Sequence, residues 1–115
     1  MRHEELVHEE EREGFTIKLY FAPEDMDPRD SFDEEIEAQF DTFGKIERGE
    51  LLWFVAHVTA ESPEGFQGDD YLGGCCYESV ADFLKTSDYY DDMVGEAIRH
   101  AQEAQRKDYM RRCFA

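Results

Sequence analysis

The sequence predicts an α+β domain in which a three-stranded antiparallel sheet carries helices packed on one face, in the order β-α-β-β-α-α. Three observations predict it. Phe15, Ile17, Leu19 and Phe21 alternate with Thr16, Lys18, Tyr20 and Ala22, the period of two expected of a half-buried strand. Two more strand-like runs, 51–60 and 71–77, lie either side of a turn-rich stretch. After them Tyr90, Met93, Val94, Ala97, Ile98, Ala101 and Ala104 recur at the helical period.

Taken in order, residues 1–13 are almost wholly polar, with Leu6 and Val7 their only strong hydrophobes. They read as a charged arm, helical or frayed, ahead of a single domain at 14–115. The first strand is stopped by Pro23, and 23–29, with two prolines and three acids, is loop. Ser31 with Glu34 forms a capping box for a helix over 31–43, in which Phe32, Ile36, Phe40 and Phe43 share a face and Gly44 marks the stop. The run 51–60, rich in β-branched and aromatic residues, is a central strand. Pro63, Gly65 and Gly68 make 61–70 a turn region, after which 71–77 returns antiparallel. Gly73 and Gly74 inside that strand predict a bulge or a close approach. Ser79 and Asp82 open a short helix carrying Val80, Phe83 and Leu84, and a boundary at 85–88 precedes the long C-terminal helix.

Composition narrows the function. The chain of 115 residues is one domain, and with 41% hydrophobic and 14% aromatic residues it has the means to fold. Its 29 acids against 12 bases give a net charge of -17, which repels phosphates and anionic lipid and favours a basic partner. No apolar run is long enough for a membrane span and no leader is recognisable, so a cytoplasmic protein is expected. Cys75, Cys76 and Cys113 are odd in number and lack CxxC spacing, as expected of reduced, structural thiols.

The charge is unevenly placed. Residues 1–93 hold 26 acids and 7 bases, a net of -19, whereas 94–115 hold 3 acids and 5 bases, a net of +2. On the predicted first helix Asp30, Asp33, Glu34, Glu37 and Asp41 recur every three to four residues, about 4.5–6 Å apart along the axis, comparable in order to the ~3.4 Å phosphate rise of a DNA strand. Further clusters stand at Asp69, Asp70 and Glu78 and at Asp88, Asp91 and Asp92. Such clusters predict a surface that docks where a nucleic-acid-binding protein keeps its Lys and Arg. The plainer reading is that acidic faces serve solubility and complement helix dipoles. Against it, -17 lies well beyond the magnitude of roughly 2–8 that suits a small soluble domain. Trp53, Phe54, Tyr71, Tyr77, Tyr89 and Tyr90 read mainly as core, but Tyr71, Tyr89 and Tyr90 also adjoin acidic pairs and suit an Arg-rich partner. The basic tail, Arg106, Lys107, Arg111 and Arg112, either complements its own helix dipole or makes a homodimer through the C-terminal helix.

Chemistry is thinly signalled. His3 and His8 flank a near-miss of the HExxH zinc motif, five residues apart and so on different sides of a helix. Asp25 and Asp27 open a calcium-loop pattern that fails at Asp30 and Ile36. His57, semi-buried in the central strand, is the one imidazole placed to activate Cys75 or Cys76, though surrounding carboxylates oppose a thiolate. No P-loop, GxGxxG or GxSxG is present, so no cofactor, metal or catalytic residue is assigned.

Small size, extreme acidity and an α+β layout resemble the small inhibitors of phages and plasmids, the antirestriction and anti-CRISPR proteins. The stretches Gly68-Asp69-Asp70-Tyr71-Leu72-Gly73-Gly74-Cys75-Cys76-Tyr77 and Tyr89-Tyr90-Asp91-Asp92-Met93 are similar to stretches in proteins of mobile elements. The resemblance implies a non-enzymatic inhibitor that occupies the nucleic-acid groove of a host defence complex, and it assigns no residue. The charge clusters nominate the contacts: Asp33, Glu34, Glu37, Asp69, Asp70, Asp91 and Asp92, with Tyr71, Tyr89 and Tyr90. The alternatives are a cytosolic interaction module whose acidity serves solubility and, behind it, a small thiol-dependent enzyme.

Overall fold

A computed structural model describes residues 3–30, 34–35 and 40–114. Its elements are β1 (Glu5–Arg12), β2 (Phe15–Pro23), α1 (Thr42–Glu47), β3 (Leu52–Glu61), β4 (Gln67–Tyr77), α2 (Val80–Thr86) and α3 (Tyr89–Phe114), with a 3-10 turn at Pro28–Asp30. The class is α+β as expected, but the sheet has four antiparallel strands in the order β1-β2-β3-β4, not three. The corrected element order is β-β-α-β-β-α-α.

The extra strand comes from the segment read as a charged arm. Arg12 pairs with Phe15 across Glu13 and Gly14, whose φ angles of 54° and 84° are those of a tight hairpin turn. β1 conceals itself because both of its faces are polar. Glu9 and Glu11 lie on the open side of the sheet, and His8, Glu10 and Arg12 lie on the helix side. An edge strand of charges also discourages pairing with other chains.

The inner face of the sheet follows the predicted alternation. Ile17, Leu19 and Phe21 of β2 meet Phe54, Ala56, Val58 and Ala60 of β3, and all are buried against Phe83 of α2 and Tyr90, Met93, Val94, Ala97 and Ile98 of α3. Phe21 and Phe54 stack at 3.8 Å, and Phe83 stands edge-on to both. Ser79 caps α2 by accepting the Asp82 N–H, as its sequence position predicts.

Other boundaries shift. β4 begins at Gln67, so the predicted turn region 61–70 shrinks to 62–66, where Ser62 closes the turn onto Phe66. Gly68 is a strand residue chosen for closeness: a Cβ there would stand 2.2 Å from the Ala97 carbonyl and 2.4 Å from the Ala101 nitrogen of α3. The bulge expected at Gly73 and Gly74 is present, since pairing passes from Ala56 opposite Leu72 to Phe54 opposite Cys75, with Gly74 at φ +65°. Much of the predicted helix 31–43 lies outside the described residues. Gly44, its expected stop, is inside α1, which follows a left-handed Asp41. On the sheet's other face, Trp53 donates its indole N–H to the Met26 carbonyl at 2.8 Å and ties the β2–α1 connection over one end.

Candidate functional site

The register sets the open face of the sheet as rows of side chains. One row is Glu11, Thr16, Glu61 and Gln67; the next is Glu9, Lys18, Thr59 and Asp69; the third is Leu6, Tyr20, His57 and Tyr71. With strands about 4.8 Å apart and same-face residues about 6.7 Å apart along a strand, Glu9, Glu11, Glu61 and Asp69 frame a patch of roughly 7 by 10–14 Å. All four carboxylates are exposed. Lys18 and the two threonines sit within the frame, and a shallow hollow lined by Thr16, Lys18, Tyr20, Thr59, Glu61 and Gln67 lies there.

The aromatic row borders the patch and fixes one of its acids. His57 is buried, with its Nδ1 3.0 Å from Glu4 and its Nε2 3.1 Å from Asp69. Tyr71 stacks on the imidazole at 3.9 Å with the rings 7° from parallel, and Tyr20 lies against it at 5.7 Å. This clasp runs from Glu4, just ahead of β1, across the sheet to β4. Tyr71 is 55% exposed, so its ring is also presented to solvent.

A second cluster lies on the helix side of the sheet. The Tyr90 hydroxyl donates to Glu10 at 2.7 Å, and Arg12 bridges Glu10 and Asp91. Burial opposes the charge on Glu10, but hydrogen bonds from Tyr90 and His8 together with Arg12 outweigh it and hold the carboxyl below its usual range. Burial, joined by the Glu10 carboxylate, pushes the Tyr90 phenol upward.

The nominated residues thus divide between two surfaces. Asp69 and Tyr71 belong to the open face, whereas Asp70, opposite Val58, lies on the helix side and is half-buried. Tyr89, Asp91 and Asp92 are exposed at the start of α3, with Asp91 engaged by Arg12. Tyr90 is only 3% exposed, so its ring is core and not contact surface. Glu34 is exposed; Asp33 and Glu37 lie outside the described residues. Sequence reasoning passed over Glu9, Glu11 and Glu61, whose grouping exists only once β1 is paired.

The thiol-imidazole arrangement does not form. Cys75 lies on the buried inner face and donates to the Leu72 carbonyl, whereas His57 is on the open face. Burial, above all, pushes the Cys75 thiol up to about 11, with Glu24 adding to it. Cys76 shares the open side but pairs with Trp53, four residues along β3 from His57, and burial raises its thiol as well. Among the described residues no group of three or more His, Cys, Asp or Glu is placed to hold a metal ion, and no helix is long and apolar enough to cross a membrane. Comparison with protein-family models, with curated proteins and with solved structures returns no match.

Proposed function

We propose that the chain is a non-enzymatic binding protein whose open sheet face takes the place of nucleic acid on a basic, nucleic-acid-binding partner and blocks it. The observation that carries this reading is the four-carboxylate patch of Glu9, Glu11, Glu61 and Asp69 bordered by Tyr71 and Tyr20. Carboxylates at that spacing accept Lys and Arg side chains, and an exposed Tyr ring stacks on guanidinium. The patch sits on regular strands, and β4 is further braced through His57, so little ordering entropy is lost when a partner docks. Association is fast and salt-sensitive, because a strongly negative body steers a positive one. An anti-defence inhibitor of the antirestriction or anti-CRISPR kind fits this chemistry, the partner being a host nuclease complex.

The test is capture from a host lysate on the immobilised protein, followed by elution with duplex DNA or with RNA. Nucleic-acid-binding proteins retained at low salt and released by the polyanion support the reading. Capture of proteins that nucleic acid does not displace contradicts it.

A further inference from the structure

We propose that the solvent side of α3 pairs antiparallel with the same side of a second copy, about a two-fold axis between Ala101 and Gln102. This inference uses a different surface from the open sheet face and stands whether or not that face mimics nucleic acid.

The core uses one side of α3, the stripe Tyr90, Met93, Val94, Ala97, Ile98 and Ala101. At about 100° per residue, Tyr89, Glu96, Glu103, Lys107 and Phe114 fall within roughly 40° of one another on a different side, with Asp92 and Met110 on one flank and Arg111 on the other. This side carries three of the four exposed large apolar groups of the helix: Phe114 is 78% exposed, Tyr89 54% and Met110 49%, whereas Tyr109, 66% exposed, lies about 140° away around the helix. Core packing explains none of the three.

Charge along the side is graded, with Asp92 and Glu96 towards the N-terminus and Lys107 and Arg111 towards the C-terminus. Antiparallel pairing about the proposed axis sets Asp92 opposite Arg111, Glu96 opposite Lys107 and Tyr89 opposite Phe114, while His100 stays turned to the Asp69 carbonyl of β4 and Glu103 to Arg99 of its own helix. All three pairs share one midpoint. The helix is therefore complementary to its own reverse, as a two-fold interface requires. The C-terminal part of α3, Arg106 to Arg112, is also where this acidic chain carries its basic residues most densely, so a second copy meets the least repulsion there.

A helix of 26 residues is about 39 Å long, and a contact strip about 10 Å wide buries roughly 800 Å² over both copies, at the weak end of specific interfaces. The expected dimer is consequently weak and concentration-dependent.

Sedimentation equilibrium over a range of protein concentrations tests it, with circular dichroism confirming that each variant is folded. The wild type associates to a dimer. Reversing one end (Asp92→Lys with Glu96→Lys) or the other (Lys107→Glu with Arg111→Glu) weakens self-association about tenfold or more. Mixing the two variants, or combining all four substitutions in one chain, restores the dimer. A monomeric wild type at the highest concentration overturns the proposal, as does a dimer indifferent to either reversal or one that neither mixing nor the fourfold variant restores.

Discussion

At the scale of single residues, one polar contact ties the long helix to the edge strand of the sheet. Tyr90 reaches from α3 to Glu10 on β1, and the bond joins a phenol to a charged acceptor at 2.7 Å. Its removal in Tyr90→Phe keeps the ring in the core and costs about 1–2 kcal/mol, read as a fall in melting temperature of about 3–8 °C. An unchanged melting temperature would show the bond to be incidental. Glu10 gives this contact a pH dependence. Because its folded pKa is lowered, the unfolded chain binds the proton more readily; the stability from Glu10 is complete above the ordinary glutamate range and is lost as pH falls through the lowered value. Glu10→Gln is accordingly less stable than the wild type near neutrality, and its melting temperature declines less steeply between about pH 5 and 3. Parallel acid limbs for the two proteins would assign the acid sensitivity to other carboxylates.

Among the elements, the decisive fit is α3 on β4. Gly68 lets the helix backbone lie against the strand, and Gly68→Ala has to push the two apart or distort β4, since the nearest atoms are backbone. The expected cost is about 1–3 kcal/mol in urea denaturation, whereas Gly95→Ala, mid-helix with nothing within 4 Å of the added Cβ, stabilises by about 0.5–1 kcal/mol. A Gly68→Ala protein as stable as Gly95→Ala would contradict the close packing. β2 and α3 were legible in the sequence because each has a periodic apolar face, β3 through its β-branched and aromatic run, and α2 through its Ser79 cap, whereas β4 was legible only from Tyr71 on, because Gly68 and Asp70 occupy its helix-side positions. Ile17, Leu19 and Phe21 reveal the inner side of β2 without any knowledge of the fold. β1 was not legible, because its inner positions hold His8, Glu10 and Arg12, and the groups that satisfy Glu10 and Arg12, Tyr90 and Asp91, arrive from about 80 residues away. The candidate site inherits that limit. Asp69 and Tyr71 stood out as an acid beside an aromatic, but Glu9, Glu11 and Glu61 join them only through the register of β1, β2 and β3. Gly68 misled for a related reason: glycine signals a turn locally, and here it answers a helix packed on the strand from elsewhere.

For the whole molecule, charge and shape act together. The radius of gyration is 17.3 Å, against about 13 Å for a compact domain of this length, and the longest dimension is 60 Å. Seventeen net charges over 60 Å is one per about 3.5 Å, close to the ~3.4 Å spacing along a single DNA strand and half the density of a duplex. So high a density destabilises the fold by self-repulsion, and salt relieves it. The melting temperature therefore rises between about 0.05 and 0.5 M sodium chloride; a fall would mean that the surface ion pairs outweigh the repulsion.

Density alone does not distinguish a binding surface from a solubilising one; position does. The most direct measurement is displacement of labelled nucleic acid from a captured partner, comparing two variants of identical net charge. Glu9→Lys, Glu11→Lys and Glu61→Lys together are expected to weaken displacement by about tenfold or more, whereas Glu47→Lys, Glu78→Lys and Asp88→Lys, off the patch, leave it within about twofold of the wild type. Equal loss in both variants would make the acidity a diffuse property of the molecule and would contradict the open sheet face as its binding site.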